Sequence, residues 1–339
     1  MQTNERSTST STTSQLPEAQ TQRRIVLANP RGFCAGVERA IDTVDELLDI
    51  YGAPIYVRKE IVHNRDVVDG FRAKGVVFVE EVAEAPDGSV LVFSAHGISP
   101  EVRREARERR LTVVDATCPL VTKVHLEALR YAADGCFLLL VGHANHDEIV
   151  GTLGHVPGGI ALVENLHDAQ TVTVPDSQRV ALITQTTLGV DDTRDIIATL
   201  KQRFPALREP ARSDICYATT NRQSAVKELA RIAGVVVVVG SQSSSNSQRL
   251  RDLAAQSGAA AYMVDAADQL EAAWFAGPQT IGVTAGASSP ETLVRRIIER
   301  IGELCGSATL EEIGKPEPAI VFSPPREMAD LPRGKGPTA

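Results

Sequence analysis

The chain has 339 residues, 43% of them apolar and 4% aromatic, and a formal net charge of −8. It carries no Lys/Arg-rich run and few stacking residues, which argues against a nucleic-acid binder. No apolar run approaches the ~18 residues that cross a bilayer.

Residues 1–22 are rich in Ser, Thr and Gln and are expected to be disordered. From residue 24 to about 306, strand-like apolar runs alternate with helical periodicity. Strands are expected at 24–30, 54–58, 90–97, 112–118, 136–143, 179–186, 235–241 and 280–286. The unbroken Val/Ile/Leu runs suit strands buried on both faces, as in parallel sheets covered by helices. Helices are expected at 37–51, 99–110, 119–134, 191–203, 219–233, 246–257 and 289–304, several behind cap-type residues such as Ser99-Pro100. The fold class is α/β throughout.

Five cysteines, an odd number, and no secretory apolar segment suggest a reducing, cytoplasmic setting. Cys136 and Cys305 sit in core-like runs. Cys34, Cys118 and Cys216 instead follow strand-like runs and precede helices, in RGFCAGV, DATCPLV and SDICYAT. Their spacing suggests three similar units. The expected division is 23–115, 116–213 and 214–306, followed by a cover segment and frayed tail over 307–339. About 28 residues after each of these cysteines comes a polar group at a strand end: His63, His146 and Ser244. A second strand in each unit ends at His96, Thr186 or Ser288. In open α/β sheets ligands bind at that edge, so three units could aim all nine groups at one centre.

Three converging thiols have few uses. They could complete a zinc site with His63 or His146, or hold a [4Fe-4S] cluster with one iron free of protein ligands. The absence of CxxC spacing disfavours a zinc ribbon or a simple ferredoxin. His63, His96, His146, Ser244, Ser245, Asn246 and Ser288 form a donor-rich set that suits a diphosphate, helped by helix N-termini. Glu148 could deliver a proton, with Thr186 as relay or orienter. His125, His155 and His167 fit surface or helix positions and receive no role, and His143 could simply hold its turn.

The segments RGFCAGV, VHN, SAHG, DATCPLV, GHANHDE, TQTT, DICYATTNRQ, GSQSSSN and VTAGASSP, in order over about 25–306, resemble the 4-hydroxy-3-methylbut-2-enyl diphosphate reductases, which act last in the non-mevalonate isoprenoid route. The resemblance implies a pseudo-threefold trefoil of three α/β units around a [4Fe-4S] cluster on Cys34, Cys118 and Cys216. It implies diphosphate contacts from His63, His96, His146, Ser244, Ser245, Asn246 and Ser288, with Glu148 as proton source and Thr186 near the substrate hydroxyl. The implied reaction is a two-electron reductive dehydration in which the hydroxyl binds the open iron and leaves as water. Isopentenyl and dimethylallyl diphosphates are the implied products, and a ferredoxin or flavodoxin the electron donor to a monomer or weak dimer. Ser243 departs from an expected asparagine. The segment 319–328 resembles a final strand and cover. The competing enzyme class is a zinc-dependent phosphate-ester hydrolase using the same three cysteines. A cluster-carrying regulator would instead need a basic face for DNA.

Overall fold

The computed structural model describes residues 23–277, 279–306 and 308–331. The expected N-terminal tail, 1–22, and the last residues, 332–339, lie outside them. The chain begins with β1 (Arg23–Asn29), which leads through Cys34 into α1 (Ala35–Tyr51). There follow β2 (Ile55–Arg58), α2 (Arg65–Ala73), β3 (Val76–Val79), β4 (Val90–Phe93), α3 (Pro100–Glu108) and β5 (Thr112–Asp115). Cys118 then opens α4 (Pro119–Ala133), followed by β6 (Phe137–Val141), α5 (Asp147–Leu153), β7 (Ile160–Val163), α6 (Leu166–Thr171), β8 (Val180–Thr184) and α7 (Val190–Arg203). Cys216 opens α8 (Tyr217–Ala230), and β9 (Val235–Val239), α9 (Ser245–Gln256), β10 (Ala260–Val264), β11 (Thr280–Ala285), α10 (Glu291–Cys305) and β12 (Ala308–Gly314) complete the order.

Three parallel sheets result, ordered β3-β2-β4-β5, β7-β6-β8 and β10-β9-β11-β1-β12. The continuous apolar runs have the expected cause. In β9, Val235, Val237 and Val239 enter one core with Ile281, Val283 and Ile297, while Val236 and Val238 enter the opposite core with Val226 and Leu229. All five valines are fully buried, each contributing roughly 1.5–3 kcal/mol of transfer free energy.

One placement is corrected. The strand over 24–30, expected in the first unit, pairs with β11 and β12 in the third sheet, Ile25 lying opposite Ile281 and Leu310. An apolar run carries no mark of its partner, so the ring closure between the chain's beginning and its third unit was not legible. The same crossover recurs at the other two cysteines. β5 belongs to the first sheet, yet α4 packs on the second. Arg208 bridges to Ala181 beside β8 before the chain enters α8 on the third sheet. Each cysteine therefore stands where the chain leaves one unit and enters the next.

The edge strands β3, β7 and β10 escaped the sequence reading because they are short and partly exposed, without unbroken burial. The final strand lies at 308–314, not within 319–328. Residues 315–325 run irregularly across the molecule to a short turn at Arg326–Asp330, where Met328 enters the first unit's core.

Candidate active site

Cys34, Cys118 and Cys216 are the residues that cap the N-termini of α1, α4 and α8. All three line a central cavity of about 100 Å³. Burial pushes the Cys34 thiol up from its usual range, Cys118 up to about 12 and Cys216 up to about 11. Backbone N–H groups of the helix starts oppose the shift: Val37 and Gly36 at Cys34, Leu120 and Val121 at Cys118, Thr219 at Cys216. Cys216 Sγ also accepts the Thr219 N–H at 3.3 Å and shares a hydrogen bond with the Thr219 hydroxyl at 3.1 Å. Donors aimed at sulfurs that burial keeps neutral fit a site in which a cation makes them thiolates. Gly36 clears the space: a Cβ there would stand 2.6 Å from Cys118 Sγ and 3.9 Å from Cys34 Sγ.

Glu148 lies in the first turn of α5, 2% exposed. Its Oε1 accepts the Thr186 N–H at 2.7 Å and its Oε2 the Thr186 hydroxyl at 3.0 Å. Burial outweighs these bonds and raises its pKa to about 7. Thr186 is tied in turn to the thiol set, its carbonyl accepting the Cys216 N–H at 3.0 Å. His146 caps α5 and accepts the Glu148 N–H on Nδ1 at 3.2 Å. That bond assigns the ring proton to Nε2, and burial lowers the His146 pKa to about 4. His146 is thus a neutral N–H donor.

His63 and His96 stack with ring centroids 3.9 Å apart, and His146 meets each edge-on. His63 Nδ1 lies 2.9 Å from Glu60 Oε2, a bond that holds the Glu60 carboxyl below its usual range. Burial, then the neighbouring imidazoles, keep His96 well below its ordinary pKa. Ser244 caps α9, and Ser245 and Asn246 begin it. Asn246 is 5% exposed, yet neither its amide nitrogen nor its oxygen has a partner. A buried amide left so costs about 1–3 kcal/mol, and this one lines the cavity. Ser288 lines the same cavity and donates to the His63 carbonyl at 2.9 Å.

The structure brings every residue singled out for the site to this one cavity: the three cysteines, Glu148, Thr186, His63, His96, His146, Ser244, Ser245, Asn246 and Ser288. Cys136 is buried in the second unit's core, and His143 is exposed. His125, given a surface or helix position, is on α4 but buried against His155, with ring centroids 4.2 Å apart.

Several participants were missed. Thr219 and Gly36 lie beside cysteines but look like ordinary helix residues in sequence. Arg222, 1% exposed, donates to the Gly32 carbonyl at 2.7 Å and pairs with Glu317 at 3.1 Å. It joins α8, the Cys34 loop and the C-terminal segment. That segment is also held by Arg39, which donates to the Ser323 carbonyl at 2.7 Å, and it places Phe322 in the cavity wall. No helix of the described residues is long and apolar enough to cross a membrane.

Three α/β units, three buried thiols, a buried carboxyl and an unpartnered buried amide meet at one cavity, the arrangement of an enzyme active site. The chain belongs to the LytB protein family, whose model matches residues 25–302. It is 55% identical over 309 residues to the 4-hydroxy-3-methylbut-2-enyl diphosphate reductase of Hahella chejuensis, covering 90% of this chain and 97% of that protein. The reductase of that name from Neisseria meningitidis is 54% identical over 308 residues, covering 91% and 95%. Among solved structures, the E-1-hydroxy-2-methyl-but-2-enyl-4-diphosphate reductase of Plasmodium falciparum superposes with a TM-score of 0.87 at 34% identity, over 91% of this chain and 97% of that one. A reductase described as the terminal enzyme of the non-mevalonate pathway gives 0.59 at 31% identity, over 83% and 99%.

Proposed function

We propose that this chain catalyses the two-electron reductive dehydration of 4-hydroxy-3-methylbut-2-enyl diphosphate to isopentenyl and dimethylallyl diphosphates, using a [4Fe-4S] cluster on Cys34, Cys118 and Cys216. The carrying observation is the meeting, at one cavity, of three helix-capping thiols, a buried carboxyl poised near neutrality and the orphaned amide of Asn246. When bound, the cluster would supply single electrons and an iron without a protein ligand that acts as Lewis acid. Breaking the allylic C–O bond takes two electrons and two protons, one proton leaving in water and one ending on carbon. Glu148, protonated in part at neutral pH, supplies the proton at the oxygen. Thr186 fixes the carboxyl and leaves its hydroxyl within reach of a substrate hydroxyl. The diphosphate takes donors from His146 Nε2, the Asn246 amide and the serines at the start of α9. Phe322 in the cavity wall would shield the reacting carbons from water.

The zinc-hydrolase alternative meets a geometric objection. The three sulfurs belong to no group of His, Cys, Asp and Glu ligand atoms lying within 4.8 Å of one another among the described residues. A single zinc with ~2.3 Å bonds would need its sulfurs roughly 3.8 Å apart, closer than these three stand.

The electrons would come from a small acidic carrier such as a ferredoxin or flavodoxin. A groove lined by Arg39, Lys123, Arg130 and Arg326, with Glu127 and exposed Leu126, reaches Thr117 and Pro119, the neighbours of Cys118; Lys123 is paired with Asp214 at 2.9 Å, leaving the arginines in excess. On a chain of net charge −8, this basic spot beside a cluster ligand is where an acidic donor would be steered.

The test is product analysis. Anaerobically reconstituted protein given the diphosphate substrate and a reduced viologen should release the two isoprenoid diphosphates. Release of the free diol with phosphate, and no reduced product, would overturn the reading in favour of a hydrolase.

A further inference from the structure

His63, His96 and Asp147 each place one ligand atom within 4.8 Å of the others. They come from three parts of the chain: the loop after β2, the loop after β4 and the first turn of α5. Each imidazole has its Nδ1 engaged, His63 with Glu60 Oε2 at 2.9 Å and His96 with the Ser94 hydroxyl at 3.2 Å. That leaves Nε2 of both rings for a ligand. Glu60 is itself held by the Ser243 hydroxyl at 3.3 Å. A carboxylate or hydroxyl behind the far ring nitrogen is the arrangement that orients metal-binding histidines. The Ser94 hydroxyl can donate or accept, so His96 can present either an N–H or a lone pair. Asp147 makes no side-chain hydrogen bond or ion pair with the described residues. The Lys59 ammonium, whose charge it feels, is paired with Glu80.

We propose that His63, His96 and Asp147 form a second metal site, for a divalent transition ion of zinc's class, and that this ion and the diphosphate exclude one another. Two imidazoles and a carboxylate with an open position suit such ions. Bonds of ~2.0–2.1 Å set ligand atoms roughly 3.3 Å apart, which asks one imidazole to turn out of the His63–His96 stack so that both in-plane lone pairs meet the ion. Exclusion follows from the lone pair: a ring nitrogen that donates N–H to a phosphate oxygen cannot also bind a metal. The exclusion rests on the proposed diphosphate site, whereas metal binding by itself does not. Asp147 belongs to this site alone, so losing it should spare turnover.

The experiment uses anaerobic, cluster-loaded protein and Zn²⁺, read by equilibrium dialysis and zinc-edge X-ray absorption. The expected result is zinc in a nitrogen/oxygen shell, displaced by added inorganic diphosphate. Asp147→Ala should weaken zinc by more than about tenfold while leaving zinc-free turnover at the wild-type rate. No uptake by loaded protein, sulfur in the zinc shell, or undiminished affinity in Asp147→Ala would overturn the metal site. Zinc that depends on Asp147 but ignores diphosphate would overturn the exclusion and move the diphosphate away from His63 and His96, even in a protein whose reductase activity stands.

Discussion

Thr186 donates to both oxygens of Glu148, its N–H at 2.7 Å to one and its hydroxyl at 3.0 Å to the other. The carboxyl is thereby fixed in a nearly buried place, 2% exposed, and its proton affinity is set by a contest. Burial raises the pKa and the two Thr186 bonds lower it, leaving it at about 7.

The first prediction is a pH limb. If Glu148 donates a proton, kcat should fall as pH rises through about 7. Glu148→Gln should cut kcat by roughly 10²–10⁴-fold, abolish that limb and leave substrate affinity nearly unchanged. Stability carries the matching sign. A folded pKa raised from 4.5 to about 7 stabilises below pH 4.5, and that contribution is lost as pH climbs through 7. Glu148→Gln should therefore gain on the wild type in denaturant melts at pH 8 and show no such gain at pH 4.

Thr186→Val keeps the N–H and removes the hydroxyl. One bond that favours the carboxylate disappears, so the alkaline limb of the pH profile should move upward. A limb that stays in place would show that the hydroxyl does not reach Glu148 in the working enzyme.

Gly36→Ala tests the space between the thiols. The added methyl would overlap Cys118 Sγ at 2.6 Å, and a sulfur committed to a metal cannot turn away. The variant should keep native circular dichroism but retain little iron after anaerobic reconstitution. Full iron content would mean that the cluster sits elsewhere.

Asn246→Ala removes a buried amide with no partner in the ligand-free protein. The thermal midpoint without ligand should hold or rise, while affinity for inorganic diphosphate drops by about tenfold, the worth of one lost polar contact of ~1.4 kcal/mol. Calorimetric titration decides it.

Arg130→Glu combined with Arg326→Glu reverses charge in the groove beside Cys118. KM for an acidic protein donor should rise several-fold, and the effect should shrink in high salt. Viologen-driven turnover should be unchanged. An equal loss with both donors would relocate the entry point.

What was legible in the sequence is what side-chain chemistry and local order reveal. Cys34 and Cys118 stood out because a strand run and a helix flank each one, Cys216 because it opens a helix at a similar spacing, and His146 and Glu148 because they open a helix together. Contacts made across the chain left no such trace. β1 looks like any apolar strand, yet it closes the ring by pairing with a strand about 255 residues away. Arg222 reads as a helix arginine but holds a carbonyl 190 residues distant. Gly36 looks like a weak helix residue, because its purpose is the sulfur of Cys118 across the cavity.

The most direct measurement is iron and acid-labile sulfide per chain in anaerobically purified protein, with Mössbauer spectra before and after the diphosphate substrate is added. The account predicts about four of each, one iron signal that shifts with substrate, and loss of the intact cluster in Cys118→Ser. Zinc without sulfide, or full iron content in Cys118→Ser, would contradict it.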